Sequence, residues 1–463
     1  MDNATIAALS TPYGKGGIAV IRISGEKAIT VADACFLARS GKKIADTPSH
    51  KAVYGNIVMD GKVIDDVVLT LFKAPASYTG EDTVEISCHG GILITQKVLE
   101  CVLKAGARPA LPGEYTRRAF INGKLSLSKA EAIIDVIDAQ TDDKLALARA
   151  NVNGVLSNKI QAIYDKLCAL VSTAYVFADY PDEDLTDISS KELEIGLLRC
   201  LEDLEKLSST YKSGHAINDG IYTAIVGRPN TGKSSLLNAL LGNNRAIVSD
   251  IAGTTRDTVE ESVSVGSITL RLCDTAGIRE TDDTIEKIGV ERSIDAIEKA
   301  ELILAVFDVS SDFTDDDDAI LDVLEKKECE KIAVLNKSDM SADTYITTEF
   351  SKRISDSFEN IITISAKNGD NVPLLCEMIE KLFVENKIDY DTSAILTKAR
   401  QKNAVDSACD LIRCAVSALS KGFTPDVAGM DIEEAMSKLL EVDSKEVSAD
   451  IVDNIFHRFC VGK

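Results

Sequence analysis

The chain has 463 residues, 45% hydrophobic and 27% charged, with a formal net charge of −23. That length exceeds what one core supports, so several domains are expected, and no apolar run is long enough for a membrane span. The acidic balance disfavours nonspecific nucleic-acid binding by the whole surface, and the lack of Trp with only 5% aromatics disfavours a stacking platform for single strands.

The N-terminus has no basic n-region. The 11 cysteines are odd in number and form no CxxC pair, which fits reduced thiols and a cytoplasmic location rather than a disulfide framework or zinc site. Residues 1–120 read as a small α+β domain, with strands expected at 18–23, 67–72 and 83–87 and helices at 26–37 and 92–103. Tyr13-Gly14-Lys15-Gly16-Gly17, residues 74–80 (APASYTG) and His89-Gly90-Gly91 mark loops. The last either offers free N–H groups to an anion at a strand-to-helix junction or is an ordinary tight turn. Residues 121–215 turn to long helices, the first part of a helical domain, with an acidic helix connection at 179–184 (DYPDED). Over 216–384 strands and helices alternate, as in a doubly wound, mostly parallel sheet, with buried strands at 302–309 and 331–336. Residues 312–318 (DFTDDDD) read as an acidic surface loop that lacks the offsets of an EF-hand. Residues 385–463 are helical again. The economical arrangement is multidomain: an α+β N-terminal domain and a discontinuous α-helical domain into which an α/β domain is inserted.

The inserted domain opens with IYTAIVGRPNTGKSSLLNAL, residues 221–240: strand, glycine-bounded loop, helix. Residues 227–234 fit the phosphate-loop pattern G-x-x-x-x-G-K-[ST]. Gly227 and Gly232 let the backbone turn its N–H groups toward phosphate oxygens. Lys233 reaches the β- and γ-phosphates, the Ser234 hydroxyl can ligate Mg²⁺, and the helix that continues through Ser235 adds its dipole. Three stretches follow. Gly253-Thr254-Thr255-Arg256-Asp257 carries a threonine that can ligate Mg²⁺ and sense the γ-phosphate, so it is a switch. In Asp274-Thr275-Ala276-Gly277, Asp274 can hold the Mg²⁺ shell and the Gly277 N–H can meet the γ-phosphate. In Asn336-Lys337-Ser338-Asp339, Asp339 can accept two hydrogen bonds from guanine, while Ser365-Ala366-Lys367 presents a backbone N–H to guanine O6. Adenine lacks the donor pair that Asp339 needs, so the set selects GTP over ATP. Ras-like enzymes orient the attacking water with a Gln just after the DxxG glycine; here that position is Ile278. Either hydrolysis is very slow or another group does this work. Glu286 is a candidate, and is otherwise a helix-surface Glu.

Taken together these residues resemble the MnmE/TrmE family of tRNA-modification GTPases over the whole chain. The resemblance rests on Gly14-Lys15-Gly16-Gly17 through Arg22-Ile23-Ser24-Gly25, Tyr78-Thr79-Gly80-Glu81-Asp82, His89-Gly90-Gly91 and Pro112-Gly113-Glu114-Tyr115-Thr116. The GTPase set and the terminal Phe459-Cys460-Val461-Gly462-Lys463 complete it. It implies a folate-binding N-terminal domain, a homodimer, and an FAD-containing partner of the MnmG/GidA type in a heterotetramer or larger complex. The pair would add an aminomethyl-type group at C5 of the wobble uridine of certain tRNAs. The one-carbon unit would come from a 5-formyl- or 5,10-methylene-tetrahydrofolate, and tRNA would be bound largely through the partner. By resemblance, Asn230 is a K⁺ ligand together with backbone groups of Ser249, Ile251 and Thr254. Thr255 joins Ser234 on Mg²⁺. Thr231, Asp250, Ala252 and Gly253 belong to the GTP site, and Glu286 orients the water. Arg22, Glu85, Lys124 and Lys463 match the folate-contacting positions. Cys460 is either a nucleophile or a structural thiol near that pocket; prenylation is disfavoured because Gly462 is not aliphatic and Lys463 is an unsuitable final residue.

Two other readings compete. A switch GTPase for ribosome assembly calls for a basic RNA-binding appendage. The basic concentration available, Arg108, Arg117, Arg118, Lys124 and Lys129, reads equally as scattered surface charge or as an RNA or folate contact. A one-carbon transferase with a degenerate G domain conflicts with the intact GTPase motifs.

Overall fold

The computed structural model describes residues 4–179, 190–243, 261–272, 296–340, 348–384, 388–443, 455–457, 459 and 461–462. Its contacts divide the chain into two units, residues 1–134 with 437–463, and residues 135–436.

The first unit is built on a seven-stranded sheet of β1 (Ile6–Leu9), β2 (Ile18–Ser24), β3 (Phe36–Ala38), β4 (Lys51–Met59), β5 (Lys62–Phe72), β6 (Thr83–His89) and β7 (Arg108–Pro109), in the order β3-β4-β5-β6-β2-β1-β7. Neighbours are antiparallel except β1 and β7. Alternate residues such as Val67, Leu69 and Leu71 of β5 are buried beneath α1 (Ala28–Cys35) and α2 (Ile92–Lys104), which contribute Val31, Val98 and Val102. The helix expected over 26–37 therefore ends early. Phe36–Ala38 pairs with residues 55–57 of β4, where Gly55 leaves no room for a side chain: a Cβ there would lie 2.3 Å from the Leu37 carbonyl oxygen.

Helix α3 (Glu114–Ile121) begins at a carboxylate that accepts hydrogen bonds from Arg108 (2.9 and 2.7 Å), the Leu111 N–H (2.9 Å) and Arg118 (2.9 Å). Burial opposes its charge, but these donors prevail and hold the Glu114 carboxyl down at about 2. Two members of the basic run, Arg108 and Arg118, are thus committed to internal ion pairs; Arg118 also meets Glu81 at 3.1 Å. Leu127 and Ala130 of α4 (Leu127–Ile137) pack with Phe120, Phe456 and Phe459, which brings the end of the chain onto this unit.

In the second unit α5 (Asp142–Val152), α6 (Val155–Asp179), α7 (Ser190–Ser209) and α8 (Tyr211–Asn218) precede a sheet. The sheet region runs β8 (Ile221–Val226), α9 (Lys233–Asn243), β9 (Glu261–Val265), β10 (Ile268–Leu272), β11 (Leu302–Asp308), α10 (Asp315–Glu325), β12 (Glu330–Asn336), α11 (Thr348–Ser357), β13 (Asn360–Thr363) and α12 (Val372–Phe383). Helices α13 (Ala399–Ser420) and α14 (Pro425–Asp443) follow. The strand order is β13-β12-β11-β8-β10-β9, parallel except for the β9–β10 hairpin. Central strands of such a sheet are covered on both faces and so read as continuous apolar runs. In β11, Leu302, Leu304 and Val306 face one core, and Ile303, Ala305 and Phe307 the other. The helices before and after the sheet meet: Arg413 of α13 pairs with Glu205 of α7 at 2.7 Å, and Ser420 with Glu194 at 2.9 Å.

The acidic stretch 312–318 is not simply a loop. Asp315 to Asp318 form the first turn of α10, where carboxylates suit the helix dipole, and Thr314 with Asp317 makes a capping box. Of the expected acidic connection at 179–184, Asp179 ends α6 and 180–184 lie outside the described residues.

A partly buried charge cluster sits where α8, β8, β11 and the start of α13 meet. His215 lies 3.0 Å from Glu301 and 3.5 Å from Asp219; Lys398 lies 3.0 Å from both Asp219 and Asp135. Glu301 also accepts the Tyr222 N–H at 3.1 Å. Among the described residues no helix is long and apolar enough to cross a membrane.

Candidate functional site

Strand β8 ends at Val226 and the chain curls through 227–232 into α9. Side chains are excluded at both loop glycines. A Cβ on Gly227 would stand 2.4 Å from the Val306 carbonyl oxygen, and one on Gly232 (φ +98°) would stand 2.2 Å from Asn336 Nδ2. Asn230 takes a left-handed backbone (φ +66°), which Asn tolerates better than most residues. Thr231 Oγ1 donates to the Arg228 carbonyl at 3.0 Å, and Lys233 Nζ donates to the Gly227 and Arg228 carbonyls at 2.8 and 2.9 Å. Those bonds use two of the three ammonium protons and leave one for an anion. Burial pushes the Lys233 pKa below its usual range, which a phosphate's negative charge would offset. Ser234 and Ser235 lie in the first turn of α9, at the positive end of its dipole.

Asn336, at the end of β12, is buried and spends its side chain on protein. Its Nδ2 donates to the Thr231 carbonyl and its Oδ1 accepts from the Ala366 N–H, both at 2.9 Å. It therefore ties the phosphate loop to the 365–367 loop. Lys337 (φ +68°) pairs with Asp308 at 2.7 Å. Asp339 is exposed, and its Oδ1 accepts from Ser365 Oγ at 2.7 Å, which fixes the direction of the carboxylate. Lys367 of the 365–367 loop is exposed. All these groups gather at the carboxyl ends of parallel strands, where crevices of doubly wound sheets bind ligands. The expected site residues Ser249, Asp250, Ile251, Ala252, Gly253, Thr254, Thr255, Asp274, Thr275, Ala276, Gly277 and Glu286, with Ile278, lie outside the described residues.

A second gathering lies on the first unit's sheet. Arg22 and Glu85 are cross-strand partners of β2 and β6, with Arg22 Nε 2.9 Å from Glu85 Oε1. The guanidinium lies 5.6 Å from the ring centres of both Tyr78 and Tyr115, and its Nη1 donates to the Gly462 carbonyl at 3.4 Å. Gly462 (φ +105°) is pressed against β1: a Cβ would come 2.2 Å from the Leu9 carbonyl oxygen, and Ser10 Oγ donates to its carbonyl at 3.1 Å. The tail is thus held beside the Arg22–Glu85 pair, while Lys463 and Cys460 lie outside the described residues. Lys124 donates to the Pro75 carbonyl at 3.1 Å, and its stem lies against Gly80. The His89-Gly90-Gly91 turn is zipped to the other glycine loop: the Gly16 N–H donates to the Gly90 carbonyl at 2.9 Å and the Gly90 N–H to that of Gly17 at 3.4 Å. The Gly90 N–H is therefore already committed within the fold.

The residue that the sequence pattern passes over is Arg228. The phosphate-loop motif leaves its position open, yet its side chain binds Asp317, Ser311 and the Asp312 carbonyl. The T-x-x-D spacing of Thr314 and Asp317 was the available signal for a helix start there.

Residues 5–124 match the family model described as GTP-binding protein TrmE N-terminus, and residues 127–460 that of the MnmE helical domain. A tRNA modification GTPase MnmE from Clostridioides difficile is 42% identical over 461 residues, 99% of either chain. One from Carboxydothermus hydrogenoformans is 38% identical over 465 residues, the full length of both. A solved structure of Era from Aquifex aeolicus is 28% identical over 41% of this chain and 65% of its own, with a TM-score of 0.28.

Proposed function

The chain belongs to the MnmE family of tRNA-modification GTPases, and on that premise we propose that it is a potassium-activated GTPase working with an FAD-containing MnmG/GidA-type partner. Together they add an aminomethyl-type group at C5 of the wobble uridine of certain tRNAs in the cytoplasm, using a tetrahydrofolate one-carbon unit. Residues 1–120 form the folate-binding and dimerisation domain, 121–215 with 385–463 the discontinuous helical domain, and 216–384 the inserted G domain.

The observation that carries this reading is the Asn336 bridge, which sets the phosphate loop and the base-reading loops in one crevice. In that crevice Lys233 and the first turn of α9 receive the phosphates. Asp339, aimed by Ser365, accepts the two guanine donors, and the Ala366–Lys367 backbone meets O6. Ser234 and Thr255 would hold Mg²⁺, and Asn230 with backbone groups of Ser249, Ile251 and Thr254 would hold K⁺, whose positive charge would stand in for that of an arginine finger. Glu286 directs the water in place of the glutamine that Ile278 replaces. On the first unit, the Arg22–Glu85 pair offers a cation for a folate carboxylate and a carboxylate for pterin donors, and Lys124 and Lys463 add positive charge around it. The ribosome-assembly alternative loses ground because Arg108 and Arg118 are spent on internal carboxylates rather than on a basic appendage.

GTP turnover measured with K⁺ and then with Na⁺ tests the cation reading: a strong rise in K⁺ is expected, and equal rates overturn it. Mass spectrometry of wobble uridines from cells lacking the protein tests the tRNA reading, and unchanged uridines would remove it.

A further inference from the structure

Arg228 sends its side chain out of the phosphate loop into the connection between β11 and α10. Its Nη2 donates to the Asp312 carbonyl at 3.3 Å and to Ser311 Oγ, and its Nε stands 3.2 Å from Asp317 Oδ2, a charge contact without hydrogen-bond alignment. Asp317 is buried, and the same Oδ2 accepts the Thr314 N–H at 3.1 Å and hydroxyl at 3.0 Å. Its side chain is therefore fixed in direction before Arg228 reaches it. The Arg228 carbonyl meanwhile holds both Lys233 Nζ and Thr231 Oγ1. One residue thus links the backbone that cradles the phosphate-facing lysine to an immobile carboxylate. At its other end the same connection holds Asp308, which accepts the Ser310 N–H at 2.9 Å and pairs with Lys337 of the base-reading motif at 2.7 Å. A loop bounded by two glycines has little stiffness of its own, so a binding-ready shape must be imposed from outside it.

We propose that the Arg228–Asp317 ion pair is a strut that holds the phosphate loop in its nucleotide-binding shape, with both residues positioning the site for GTP turnover. The proposal rests on residues 227–234 being the phosphate site. Without the strut the free loop relaxes and must be reordered at each binding event, whereas chemistry in the bound state is unchanged.

The test uses the full-length protein, steady-state GTP turnover, and release of a fluorescent GDP. Arg228→Gln and Asp317→Asn are each expected to raise KM and speed GDP release by about tenfold, with kcat within about twofold, since either change leaves the other charge partly buried without its counter-charge. Asn at 317 keeps an acceptor for Thr314, so the start of α10 survives. The double variant should be no worse than either single one, because the pair is lost once. Arg228→Lys, which keeps the charge but not the fork, should fall between. Wild-type KM and GDP release in Arg228→Gln, alongside loss of nucleotide binding in Lys233→Ala, would overturn the strut alone. Additive losses in the double variant, or a lower kcat and melting temperature at unchanged KM, would also overturn it. Wild-type binding in Lys233→Ala would instead remove the site assignment beneath it.

Discussion

Replacing Asn336 by Ala removes a bridge between two loops, and the size of the loss follows from the groups it leaves. The Thr231 carbonyl and the Ala366 N–H each lose a bond of 2.9 Å, and both residues are buried. An unpaired buried polar group costs about 1–3 kcal/mol, so the two together cost about 2–6 kcal/mol in the closed arrangement. In the free protein the loops can move apart and let water reach these groups. The cost then returns when nucleotide draws them together, and nucleotide affinity falls by about one to four powers of ten. Asn336→Asp sharpens the test. It keeps an acceptor for Ala366 but sets a carboxylate oxygen against the Thr231 carbonyl, so it should bind at least as poorly as the Ala variant. Calorimetric titration with GDP, read beside thermal unfolding, measures both terms. GDP affinity within threefold of wild type in Asn336→Ala would refute the bridge as the element that assembles the site.

Gly232→Ala places a methyl group 2.2 Å from Asn336 Nδ2 on a left-handed backbone (φ +98°). It should abolish nucleotide binding in the same titration while the protein stays folded by circular dichroism. Asp339→Asn exchanges an acceptor for a donor opposite the base, so turnover should move from GTP towards xanthosine triphosphate, whose C2 oxygen accepts; steady-state kinetics with both nucleotides reads the switch. Arg22→Ala should weaken 5-formyl-tetrahydrofolate binding in a fluorescence titration without changing GTP turnover, because Arg22 joins Glu85 and the tail rather than the nucleotide crevice. Asp219 and Glu301 raise the His215 imidazolium from 6.5 to about 9. A raised pKa means that this stabilisation is fully present below about pH 6.5 and is lost as pH rises through about 9. Lys398 also feeds the cluster through Asp219. Urea unfolding at pH 7 and pH 9.5 should show a steeper fall for wild type than for His215→Gln; equal falls would show that the cluster does not depend on His215.

Much of this molecule could be read from its residues because the signals were local. A buried parallel strand is a continuous apolar run, so β8, β11 and β12 stood out, and the glycines of the phosphate loop marked the turn between β8 and α9. The failures have local causes too. Phe36 and Leu37 carry helical spacing from α1, but the chain leaves the helix there to pair with β4, and Gly55 makes the close approach feasible. Four consecutive aspartates resemble a solvated loop by charge alone, yet carboxylates are favoured in a first helical turn, and Thr314 supplies the cap that starts α10.

What the motifs could not reveal is which side chains of these loops also bond to distant parts of the protein. Asn336 sits inside a base-reading motif and spends its amide on Thr231 and Ala366. Arg228 sits inside a phosphate loop and spends its guanidinium on Asp317. Both partners are remote in sequence, 105 residues for Thr231–Asn336, so no local pattern encodes the pairing. Motif spacing reports which backbone groups surround a nucleotide. Contacts between residues distant in sequence, such as these two, are visible in the folded chain alone, and substitution at either position tests what it contributes.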